Sequence, residues 1–104
     1  MRSQSAYAVR MPDDTMEGWR RPNEVIYLDP NRAVDEGDHA MIEFANQHDP
    51  NAPSLFAIRR VTRRRGQTYV LGRWGFEPDE QTISRTEILH LTRVVEWPEL
   101  FDVV

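Results

Sequence analysis

A chain of 104 residues, 39% hydrophobic and 29% charged, has the length and composition of one ordinary globular domain rather than of a disordered segment. It has no cysteine, which excludes disulfides, thiolate nucleophiles and cysteine–zinc sites. All thirteen basic residues are arginine, so chemistry that needs a lysine base or Schiff base is closed, because a guanidinium does not release its proton near neutrality. The net charge of −4 argues against a dedicated nucleic-acid surface. The apolar runs are too short for a membrane-spanning helix, and the opening MRSQSAYAV has no signal-peptide core. A cytoplasmic location, away from membranes, is the expectation.

Strand signals dominate in chain order. YAVRM (7–11) alternates, VIYL (25–28) is a short buried-type run, and HAMIEFA (39–45) sets Ala40, Ile42 and Phe44 opposite Met41 and Glu43. LFAIRRV (55–61) and TYVLGRW (68–74) flank TRRRGQ, read as a turn closed by Gly66, and so form a hairpin. ILHLTRVVEW (88–97) is a last long strand. The segments 29–38, 46–54 and 75–81 carry proline or glycine and read as turns. SRTEI (84–88) has the residues for one helical turn, with Ser84 as N-cap and Glu87 closing a capping box. Six short strands and scarce helix predict a mainly-β domain, a bent sheet or partly open barrel, with a core over residues 7–97 and an apolar tail over 98–104.

The run VRMPDDTMEGWRRPNEVIYLDP, then AVDEGDHAMIEF, then LFAIRRV, resembles the C-terminal domain of LexA and phage-type repressors. That family has a serine peptidase-like fold with a Ser–Lys dyad. On this resemblance Thr15 stands at the serine nucleophile and Met16 at the methionine that follows it. Asn23-Glu24 replaces a turn glycine-aspartate, Gly37-Asp38 matches a later turn, and Arg59 stands at the lysine base, with Arg60-Val61 continuing the motif. In the family the neutral lysine takes the serine proton, and backbone N–H groups near the nucleophile steady the oxyanion. Thr15 keeps a hydroxyl, but Arg59 is not such a base, and no lysine exists to replace it. Only MRSQS precedes the first strand, and it holds no Ala-Gly or Cys-Gly cleavage pair. The resemblance therefore implies a catalytically inactive member with Thr15 and Arg59 as vestigial dyad positions, Thr15 accepting a hydrogen bond from Arg59.

Read without the resemblance, Thr15 is a turn threonine bonding local backbone, and Arg59 a solvated strand arginine. The arginines of RRVTRRRG (59–66) are expected to keep a hairpin soluble and to pair with the domain's own carboxylates. His39, His48 and His90 lack metal-ligand spacing, and Trp19, Trp74 and Trp97 read as packing. No metal and no cofactor is expected. The resemblance implies a homodimerising or oligomerising domain of a transcriptional regulator, with no DNA-binding domain in residues 1–104. The tail is too apolar to stay in water and is expected to cover either the domain's own cleft or a second subunit. The resemblance implies the subunit, with Trp97, Leu100 and Phe101 at or beside a dimer interface. A second reading is a peptide- or partner-binding module that takes an extended segment into the vestigial cleft by strand addition. A third is a residual hydrolase using Thr15, activated by His39 or His90.

Overall fold

The computed structural model describes residues 5–45, 51, 55–73 and 79–96. Its strands are β1 (Tyr7–Arg10), β2 (Val25–Asp29), β3 (His39–Phe44), β4 (Leu55–Arg65), β5 (Thr68–Arg73), β6 (Asp79–Ser84) and β7 (Ile88–Val95). They form one antiparallel sheet in the order β1-β2-β7-β3-β4-β5-β6. β1 and β6 are its ends, so the sheet is open and is not a closed barrel. Among the described residues no helix is long and apolar enough to cross a membrane. The tail and its Trp97, Leu100 and Phe101 lie outside the described residues, as do His48 and Trp74.

Two differences from the sequence reading have local causes. β6 occupies part of a stretch read as a turn. Its Asp79–Ser84 is almost wholly polar, and from Glu80 to Ser84 it buries only Ile83, yet every residue from Asp79 to Ser84 pairs with β5. β4 runs four residues further than expected, through Arg65, so the hairpin turn shrinks to Gly66-Gln67. Gly66 adopts φ +55, which such a two-residue connection requires and which glycine reaches without strain. The helical turn is where the sequence put it. A 3-10 turn spans Arg85–Glu87, with Ser84 Oγ accepting from the Thr86 N–H and Glu87 Oε2 accepting from the Ser84 N–H at 3.0 Å.

Residues opposite each other in a ladder share a face, and this separates two cores. Ala40 and Ile42 of β3 join Val61, Tyr69, Leu71 and Ile83 in a first cluster over the β3–β6 half. Met41, opposite Ile58, faces the other way, and there Ile26, Leu28, Ile58 and Val94 form a second cluster. The segment from β1 to β2 roofs this second face. It is pinned at its base by Met11 N–H to Glu24 O at 2.7 Å and Asn23 N–H to Met11 O at 2.9 Å, and it drives Met11 and Met16 into the cluster. Asn23 holds φ +69 there, a left-handed conformation that asparagine tolerates better than most residues. Leu28, Ile42 and Met16 are fully buried, and each such side chain contributes about 1.5–3 kcal/mol by leaving water.

Candidate functional site

The roof brings Thr15 to β4. Asp13 shapes the turn: its Oδ1 accepts from the Thr15 backbone N–H at 3.1 Å and from the Thr15 hydroxyl at 2.6 Å, the local pattern by which an aspartate closes an Asx turn. Thr15 Oγ1 in turn accepts from Arg59 Nη1 at 2.9 Å. The two positions singled out from the sequence, 44 residues apart, are thus in direct contact. Met16, next in the chain, is fully buried and anchors the turn to the second cluster. Asp13 is the member that sequence reading missed; its signal was the Asp-x-Thr spacing in PDDT.

Arg59 sits where the sheet changes width. β5 pairs with β4 only from Arg60 onward, whereas β3 pairs along Leu55–Arg60. The Val61 N–H and C=O both bond toward the β3 side, to Asp38 and Gly37. Peptide groups alternate sides along a strand, so those of Ile58 and Phe56 point away from β3, beyond the described pairing of β5. Arg59 Nη1 donates to that outward Ile58 carbonyl at 2.7 Å as well as to Thr15. The guanidinium therefore clasps the roof turn onto the end of the β4–β5 ladder. Burial lowers the Arg59 pKa from its ordinary value; nearby Asp13 opposes this and Arg73 adds to it.

This arrangement constrains what the hydroxyl can do. A general base must present a lone pair to the Thr15 proton, but Arg59 Nη1 presents its own N–H. The Thr15 proton points to Asp13, and a carboxylate is a much weaker base than a neutral amine. The Thr15 N–H, a candidate oxyanion donor, is already taken by Asp13. Neither histidine reaches the hydroxyl, whose partners among the described residues are Asp13 and Arg59. His90 bonds Glu43 at 2.8 Å on the exposed surface.

His39 has a different role. Its ring stacks on Trp19, centroids 3.9 Å apart and planes 1° from parallel, while the Arg20 guanidinium lies 4.6 Å from the Trp19 centroid. Arg20 is tied to Glu96 at 2.7 Å, so the stack fastens the roof to β3 and to the end of β7. Burial lowers the His39 pKa from 6.5 to about 4, helped by Arg60 and Arg20 and opposed by Asp38. A base this weak is neutral at pH 7 and is poorly matched to general-base work there. Because the folded pKa lies below the unfolded one, the unfolded chain binds the extra proton. His39 therefore stabilises the fold fully above about pH 6.5, and that contribution is lost as pH falls toward 4. Urea midpoints measured across this window should fall less steeply for His39→Phe than for the parent chain. Parallel slopes would remove His39 from the account.

Elsewhere, Asp29 is buried and accepts from the Asn31 N–H at 3.0 Å, from Arg32 Nε at 3.3 Å and from the Ser5 hydroxyl. It lies opposite Arg93 in the β2–β7 ladder, and Arg93 Nε stands 3.7 Å from Asp38. Among the described residues no three His, Asp or Glu side chains gather as a metal site requires. The arginines of the β4–β5 hairpin are not distributed as the sequence suggested. Arg64 bonds the Val34 carbonyl at 3.2 Å and lies over Tyr69, but Arg60, Arg63 and Arg65 meet no carboxylate among the described residues. Compared with known proteins, the chain matches no protein-family model, no curated protein and no solved structure.

Proposed function

We propose that this chain is a non-catalytic repressor-type C-terminal domain that works by associating with a second copy of itself. The observation that carries the reading is the Thr15 hydroxyl held between an arginine that donates to it and an aspartate that receives its proton. A hydroxyl so held supports a structural role, and what is left to act is surface. Leu55 and Phe56 are 72% and 54% exposed at the end of β4 that the described residues of β5 do not reach. Adjacent exposed apolar side chains on a strand edge that no described residue pairs favour association. The apolar residues Trp97, Leu100 and Phe101 are the proposed interface by sequence.

Light scattering on the intact chain and on a chain ending at Glu96 tests this. A dimer at micromolar concentration that becomes monomeric on truncation is expected. A monomer at high micromolar concentration, or an unchanged dimer after truncation, contradicts it. One observation favours the second reading, capture of an extended peptide: the Phe56 and Ile58 peptide groups face outward beside Arg59. A monomer that binds an extended peptide, and loses it on Phe56→Pro, would select that reading.

A further inference from the structure

β4 carries five arginines among its last seven residues, Arg59 to Arg65. Strict alternation would put Arg63 and Arg65 on the face of buried Val61 and leave only Arg60 and Arg64 on the other. A bulge changes this. Val61 opposes Leu71 and Arg63 opposes Val70, so Thr62 is the extra residue and the parity of the strand switches there. Arg64 consequently returns to the first-cluster face, where its guanidinium lies 5.6 Å from the Tyr69 ring. Arg60, Arg63 and Arg65 oppose Gly72, Val70 and Thr68, alternate residues of β5, and so share the opposite face. All three are exposed. Neither cluster covers that face of the β4–β6 half, since the second cluster includes Ile58 but nothing of β5 or β6.

We infer that this row is a docking surface for an acidic extended segment of a partner protein. The spacing supports it. Alternate positions on a strand are about 6.8 Å apart, so three guanidiniums meet carboxylates on alternate residues of another extended chain. Their availability supports it too: the three meet no carboxylate within the described residues, in a protein whose net charge is −4. The carboxylate of Glu80, on the same face, is engaged by the Thr62 hydroxyl at 2.9 Å. Two facts favour a polypeptide over a nucleic acid. None of the facing positions on β5 and β6 is aromatic, so bases have no stacking platform. The acidic molecule as a whole repels a dense polyanion more than a short acidic peptide.

The test is fluorescence anisotropy with the full chain and three labelled probes: octaglutamate, octalysine and an oligothymidylate of matched charge. Octaglutamate should bind, weaken with added salt, and bind more tightly than the oligothymidylate. Octalysine should not compete. The variant carrying Arg60→Gln, Arg63→Gln and Arg65→Gln should bind octaglutamate about tenfold more weakly, with an unchanged thermal midpoint. Arg10→Gln, on the far edge strand β1, should bind as the parent does. No octaglutamate binding, an equal loss for Arg10→Gln, or an unaffected triple variant would overturn the inference. Tighter binding of the oligothymidylate would replace the acidic peptide with a nucleic acid.

Discussion

Met16→Ala should lower the stability of the domain by about 2–5 kcal/mol. Met16 is fully buried with Met11, Ile26, Leu28 and Ile58. With Arg59, it fixes the turn holding Thr15 to the sheet. Alanine removes the side chain and leaves a cavity between the roof and the second face, which the β2 and β7 strands cannot close without breaking their register. Met16→Leu, which nearly conserves volume, should cost less than about 1.5 kcal/mol. Chemical denaturation of the three proteins reads both numbers. Equal stability of the parent and Met16→Ala would mean that the roof does not contribute to the core.

Arg59→Met should cost about 2 kcal/mol. It retains much of the aliphatic stem but removes the charged donor to Thr15 Oγ1 and to the Ile58 carbonyl. The estimate lies below the sum of two charge-assisted bonds because Arg59 is only half-buried and water replaces part of what is lost. Thr15→Val removes the hydroxyl at one end of the same contact, so its effect and that of Arg59→Met should not add. The double variant should be about 1 kcal/mol more stable than additivity predicts. Additive losses would mean that the contact carries no energy and that Arg59 acts through Ile58 alone.

The strands with clear apolar alternation were legible in the sequence. β2, β3 and β5 end within one residue of where VIYL, HAMIEFA and TYVLGRW place them, because their buried residues mark a face. β6 was not legible, since DEQTIS pairs through its backbone and contributes only Ile83 to a core. The extension of β4 was hidden by its own composition. Consecutive arginines look like a solvated turn, and only pairing with β5 shows that Thr62 bulges and keeps Val61 buried.

At the site, the contact between Thr15 and Arg59 was expected, although the reason came from a family pattern and not from spacing. The part played by Asp13 depends on how the turn folds back. Side-chain direction within four residues of irregular chain is not written in hydrophobic periodicity. The stack of Trp19 on His39 joins a loop to a strand 20 residues away, and no local signal encodes such a contact.

On the proposed reading, Thr15 is a held hydroxyl and not a nucleophile. Intact-mass spectrometry after incubation with a fluorophosphonate, from neutral to alkaline pH, tests it most directly. The same samples also report any self-cleavage. The parent chain should keep its mass throughout, and so should Thr15→Ser and Arg59→Lys singly; only the double change provides both a serine and an amine able to take its proton. A parent chain that gains one phosphonyl adduct mapping to Thr15, or that cuts itself at alkaline pH, would contradict the account.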